Sequence, residues 1–201
     1  LGKSGLVALP TDTLYGLAAD ALDELAIKKV FIAKNRPYNM PLPILVSERS
    51  DLYRFGVDVP TSASKLVTRF WPGQLTIIVR KASIIPDVLT GNTDTVALRL
   101  PDSQLVVDIV RKFGRPITGT SANRSGFGPA VTAEEVVQQL GGKIDLVIDL
   151  DRHQSQMVKP VEASTIVDIT DTPFRMRRIG PISLKEIRDT CGESVETNLG
   201  E

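Results

Sequence analysis

Short apolar runs alternate with helix-periodic segments along the whole chain, which predicts an α/β or α+β fold with a mixed sheet. Leu6-Val7-Ala8-Leu9 reads as a buried strand that stops at Pro10. Residues 26–33 read as a helix with Ile27, Val30 and Phe31 on one face, limited by Pro37. Leu42 to Val46 predicts a second buried strand. The clearest helix covers 61–71, where Ala63, Leu66, Val67, Phe70 and Trp71 share one face before Pro72-Gly73 stops it. Strands follow at 75–79 and 95–100. The second alternates cleanly, with Val96, Leu98 and Leu100 on one face and Thr95, Ala97 and Arg99 on the other. A helix beginning at Asp102 carries Leu105, Val106, Ile109, Val110 and Phe113, and Gly114 closes it. After a short strand at 116–118, residues 119–126 have loop composition. Thr132-Ala-Glu-Glu135 is a capping-box pattern for a helix ending near Gly141, and Ser183-Leu-Lys-Glu186 is another. Strands are predicted at 146–150, 164–169 and 174–178, with Arg178 on the inward face beside Met176. No repeat, low-complexity tract or long linker divides the chain. One domain is expected over residues 1–191, with a flexible polar tail over 192–201.

Composition narrows the function classes. Among 201 residues, 24 Lys and Arg balance 24 Asp and Glu, which weighs against a generally basic nucleic-acid glove but leaves a local basic patch open. A single cysteine, Cys191, excludes an internal disulfide, and near the expected tail it reads as incidental. A single histidine, His153, in a polar loop excludes a His-rich metal site and disfavours a Ser-His-Asp triad. No apolar run is long enough to span a membrane and no charged-then-apolar leader opens the chain, so a cytoplasmic, reducing compartment is expected. Walker, Cys-x-x-Cys and His-Glu-x-x-His patterns are absent, and Gly126-Phe-Gly128 lacks the third glycine of a dinucleotide loop.

What remains is a gathering of hydroxyls, amides and cations at element ends. Pro10-Thr-Asp-Thr13-Leu-Tyr-Gly16-Leu17 directly follows a buried strand, where open α/β sheets place ligands; it also reads as a plain connecting turn. Lys34-Asn35-Arg36 sets two cations at a helix C-terminus, either as complements to the helix dipole or as a phosphate clamp. Ser121-Ala122-Asn123 lies in a Gly- and Ser-rich stretch able to present several N–H groups to an anion. Arg99 and Arg178 are charges inside predicted strands and require a partner there, for which surface ion pairs are the alternative.

Together and in this order, these segments resemble the YrdC family of L-threonylcarbamoyl-adenylate synthases, from about Leu6 to Pro181. The opening Pro-Thr-Asp-Thr-Leu-Tyr-Gly-Leu, Lys34-x-Arg36, Ser121-x-Asn123, Phe70-Trp-Pro-Gly73, Val96-Ala-Leu-Arg99, Ser164-Thr-Ile-Val-Asp168 and Arg178-Ile-Gly180 match its elements. Many relatives carry Asn and His where this chain has Met40 and Leu45. The resemblance implies an open, twisted sheet flanked by helices, in the single-domain form. It implies that L-threonine, bicarbonate and ATP combine into threonylcarbamoyl-AMP with release of pyrophosphate, Mg2+ accompanying ATP. The product would supply a separate enzyme that modifies tRNA beside the anticodon, and weak direct RNA binding is possible. It assigns Lys34, Arg36 and Arg178 to the ATP phosphates, with Lys34 and Arg36 catalytic. Ser121 and Asn123 fall to the nucleotide, and Thr13, Arg99 and Ser164 to threonine or its carbamate. A non-catalytic RNA-binding module and a relative that uses carbamoyl phosphate are the alternatives.

Overall fold

The computed structural model describes residues 1–149 and 163–197. In chain order its elements are β1 (Val7–Pro10), β2 (Tyr15–Ala18), α1 (Glu24–Lys34), β3 (Ile44–Leu45), α2 (Asp51–Phe55), β4 (Gly56–Val57), α3 (Ala63–Phe70), β5 (Leu75–Lys81), β6 (Thr95–Arg99), α4 (Gln104–Phe113), β7 (Ile117–Thr118), β8 (Thr120–Ser121), α5 (Ala133–Leu140), β9 (Leu146–Val147), β10 (Thr165–Asp168), β11 (Phe174–Arg178), α6 (Leu184–Cys191) and β12 (Val195–Thr197). This is the expected mixed α/β fold. His153 and Leu150 lie outside the described residues. Among the described residues no helix is long and apolar enough to cross a membrane.

Helix ends follow local chemistry. The Asp23 side chain accepts from the amides of Leu25 and Ala26, and Asn35 closes α1 in the left-handed region at φ 51°. Ser183 and Glu186 complete a reciprocal capping box on α6. On α5 only half of the expected box forms. Thr132 accepts from the Glu135 amide, while the Glu135 carboxylate accepts from Val131 N at 2.7 Å.

The strands form two ladders. The larger runs β12-β11-β10-β5-β6-β3-β7, with β4 beside β5, and the smaller runs β8-β2-β1-β9. An Asp20–Ile117 bridge and a bond from Thr118 N to Ala19 O join them. In the larger ladder β10 lies parallel to β5, and β5 antiparallel to β6. Ile77, Val79, Val96, Leu98, Val167 and Met176 enter the main core with Phe31, Leu66, Trp71 and Ile187. A second apolar cluster joins Leu9 and Ala18 to Leu45, Val106, Val110 and Ile117. The residues between the core positions therefore face the other way, and this polar face carries the site.

Five sequence expectations need correction. The 10–17 segment is a tight hairpin rather than a loop, because β2 pairs with β1 through Pro10–Tyr15. Residues Thr120 and Ser121 are likewise strand, paired with Leu17 and Gly16. Within the polar tail Val195–Thr197 enters the sheet as β12, parallel to β11, and 198–201 lie outside the described residues. Val195 there is buried and the polar neighbours do not hinder backbone pairing. Cys191, accordingly, is a buried core residue rather than a frayed-end one. Arg178 does not follow Met176 inward. The register shifts between Ile166 and Val167, so Met176 opposes Val167 but Arg178 opposes Ile166. One extra residue in the strand reverses the side to which the next side chain points.

Gly180 holds the end of β11 against the start of β10. A Cβ there would lie 2.5 Å from the Ala163 carbonyl oxygen and 2.6 Å from the Thr165 nitrogen, both backbone atoms. Gly180→Ala is expected to destabilise the domain by about 1–3 kcal/mol in urea denaturation. An unchanged midpoint would mean that these two backbones separate without cost.

Candidate active site

The polar face of the larger ladder forms one wall of a cavity of about 580 Å³, and the β1–β2 hairpin, the β8 segment and residues 41–45 form others. Thr76 and Ile78 of β5, Ala97 and Arg99 of β6, and Ile166 of β10 all face it. Of the residues singled out from sequence, Thr13, Arg36, Arg99, Ser121, Asn123, Ser164 and Arg178 line it; Lys34 does not.

Arg99 is buried, at 8% exposure, and its guanidinium is already held. Nε donates to the Gly73 carbonyl at 2.9 Å, and Nη2 donates to Asp12 Oδ2 at 2.6 Å. Nη1 points to Thr13 Oγ1 at 3.5 Å, so this arm is aimed at the hairpin side of the cavity. The pair ties β6 to the hairpin, joining the two ladders across the site. Burial pushes the Arg99 pKa down, and the Asp12 carboxylate opposes that shift. Thr11 organises the hairpin itself: its hydroxyl donates to Leu14 O and accepts from the amides of Thr13 and Leu14.

Lys34 sits beneath the opposite wall. Its Nζ donates to the carbonyl of Ser121 and, at 2.7 Å, to that of Asn123, 89 residues away in the chain. At 2% exposure it is a buried post under the β8 segment and does not line the cavity, whereas the sequence reading put it at the phosphates themselves. Burial, and secondarily the charge of Arg36, lowers its pKa to about 8. Arg36 stands at the wall, with Nε donating to Met40 O and Nη2 to Pro41 O, both at 3.1 Å. Asn123 Nδ2 donates to the carbonyls of Arg124 and Phe127, while its Oδ1 is buried without a partner among the described residues.

Arg178 closes the third side. Nε donates to Ser164 O at 2.8 Å and Nη2 to Ser164 Oγ at 3.1 Å. Ser164 Oγ also lies 2.8 Å from Thr76 Oγ1. Burial first, and then the charge of Arg99, lowers the Arg178 pKa, so the two guanidinium groups repel each other across the cavity. An anion between them would relieve that repulsion. A smaller cavity of about 180 Å³ is lined by Arg54, Arg111 and Arg115. Those arginines pair with Asp51, Asp108 and Asp20, so their charge is compensated locally.

Sequence reasoning passed over Asp12 and Thr76. Asp12 stood inside the hairpin motif without a role. Thr76 is a hydroxyl between Leu75 and Ile77, and strand alternation applied to 75–79 would have put it on the polar face.

Residues 1–180 match the model of the Sua5/YciO/YrdC family, which is described as telomere recombination. A threonylcarbamoyl-AMP synthase of Pyrococcus abyssi is 39% identical over 188 residues, covering 94% of this chain and 54% of its own length. A threonylcarbamoyl-AMP synthase of Idiomarina loihiensis is 34% identical over 149 residues, 73% of this chain and 80% of its own. The crystal structure of P. abyssi Sua5 complexed with L-threonine superposes with a TM-score of 0.88 at 37% identity, covering 96% of this chain and 56% of that one. The chain thus spans about half the length of its P. abyssi relative, and with its fold and the match over residues 1–180 it belongs to the Sua5/YciO/YrdC family.

Proposed function

We propose that this domain makes L-threonylcarbamoyl-AMP from L-threonine, bicarbonate and ATP. The observation that carries the reading is the cavity on the polar face of the sheet, where Arg36, Arg99 and Arg178 converge with Thr13, Ser121, Asn123 and Ser164. The names of the P. abyssi and I. loihiensis relatives support it, as does the threonine complex of P. abyssi Sua5.

The chemistry suits a site of cations and hydroxyls. Threonine's amine and bicarbonate give a carbamate and water. A carbamate oxygen then attacks the α-phosphorus of ATP, the bond to the β-phosphate oxygen breaks, and pyrophosphate leaves. Charge accumulates on phosphate oxygens, which fixed cations stabilise. In this reading Arg36 and Arg178 hold phosphates, Ser121 and Asn123 hold the nucleoside side, and Lys34 positions their segment from below. Arg99 and Thr13 receive the amino acid, with Ser164 beside them. Among the described residues no cluster of three His, Cys, Asp or Glu side chains converges, and Asp12 is engaged by Arg99. Mg2+ would accompany ATP and supply charge neutralisation at the phosphates. The product would pass to a separate tRNA-modifying enzyme.

The direct test is pyrophosphate release from ATP, with the nucleotide product identified by mass. Release is expected only when L-threonine and bicarbonate are both present. Release that needs neither, or that proceeds with carbamoyl phosphate in their place, would overturn the assignment.

Arg99→Lys keeps the charge but loses the planar fork that bonds to Gly73, Asp12 and Thr13 at once. Threonine binding is expected to weaken by about tenfold or more, the scale of a lost charge-assisted bond. ATP affinity measured without threonine should change little. Equal losses for both would move Arg99 to the phosphates.

Lys34 makes nucleotide binding pH-dependent. As pH rises from 7.5 through its pKa of about 8, the ammonium loses its charge and ATP affinity falls. Lys34→Met should bind ATP weakly at every pH and abolish that limb. Stability moves the other way. Between about 8 and the ordinary 10.5, the unfolded chain binds a proton that the folded chain has released, so the Lys34 contribution rises with pH. Calorimetric ATP affinity that is flat across this range would refute the role.

A further inference from the structure

Phe127 is 58% exposed, and among the described residues it is the large exposed apolar side chain that lines the cavity. Exposed aromatic surface on a mobile loop would need no explanation, but this loop is held at several points. Phe127 N donates to Arg124 O, closing a turn, and Asn123 Nδ2 donates to Phe127 O at 2.7 Å. The Gln139 side chain of α5 clamps both ends of the turn, accepting from Arg124 N and donating to Gly128 O. The Arg124 guanidinium lies 4.9 Å from the centre of the Phe127 ring. That cation covers ring surface without burying it and raises the attraction of the stack for a π-system.

We infer that Phe127, backed by Arg124, is the stacking platform for the purine base of the nucleoside triphosphate. The inference rests on the proposed ATP site and deepens it. Asn123 links the ring to the wall that holds the nucleoside side. Its backbone carbonyl is held by Lys34 and its side chain by the Phe127 turn, so the nucleoside side of the cavity and the ring are positioned by one residue. A ring already fixed in place loses little freedom on binding, and stacking tolerates any base while favouring the larger purines.

The test titrates the full 201-residue chain with ATP, CTP and inorganic tripolyphosphate by calorimetry. Phe127→Ala is expected to weaken ATP about 5- to 100-fold, the range of one lost base–aromatic stack, with a smaller loss for CTP. Tripolyphosphate affinity should be unchanged. Phe127→Trp should keep ATP affinity, and its indole emission should respond to ATP but not to tripolyphosphate. ATP binding unaffected by Phe127→Ala overturns the inference, and so does an equal loss for ATP and tripolyphosphate, which marks a collapsed loop. Weakened binding of a single-stranded adenine oligoribonucleotide with ATP unchanged also overturns it and makes the ring an RNA platform. If the unaltered chain binds neither ATP nor tripolyphosphate, the phosphate-site reading itself fails, and this inference falls with it.

Discussion

Carbonyl oxygens, rather than carboxylates, hold the cations of this site. Lys34 donates to the carbonyls of Ser121 and Asn123, Arg36 to those of Met40 and Pro41, Arg99 to that of Gly73, and Arg178 to that of Ser164. A carbonyl fixes the direction of a charged donor but brings no net charge, so the positive potential survives inside the cavity. The cost is visible in the four pKa values, all lowered by burial first. Asp12 is the exception that sets the balance. Its bond to Arg99 secures one cation without neutralising the others. In the proposed function a phosphate-bearing ligand would supply the missing negative charge.

The balanced composition conceals this segregation. Elsewhere on the molecule several arginines are paired with acids: Arg80 with Asp94 and Asp171, Arg115 with Asp20, Arg177 with Asp168. Those pairs neutralise the surface in small units of modest strength. Net charge averages the two populations and reports neither. In the cavity, low dielectric walls give each charge more effect than it has in water.

Two ladders are what allow the cavity to exist. The β1–β2 hairpin belongs to the smaller ladder and Arg99 to the larger, so their ion pair spans a joint between sheets. Gly16 pairs with Leu9 on one side and Ser121 on the other, which brings the β8 segment alongside the hairpin. The wall opposite is a sheet face whose small residues, Thr76 and Ala97, leave room for a ligand. Its other face is closed by the main core.

The chain by itself determined the parts whose information is local. Alternation through 95–100 placed Arg99 opposite Val96 and Leu98, the capping chemistry at Ser183 set the start of α6, and the apolar stripe at 63–67 marked α3. Element ends rich in hydroxyls and cations pointed to Thr13, Arg36, Ser121 and Asn123, and the family resemblance to Ser164; all of them share one cavity. Tertiary structure decided the rest. The pairing of Thr120 and Ser121 with β2 could not be read, because a two-residue strand has no period to detect. Arg178 reaches the cavity through a single register shift, and a one-residue shift is invisible to a pattern of period two. The burial of Lys34 and the bond from Arg99 to Asp12 join residues 89 and 87 positions apart. Periodicity records which way a side chain leaves its own backbone. What it meets there is set by long-range packing, and only the folded sheet supplies that.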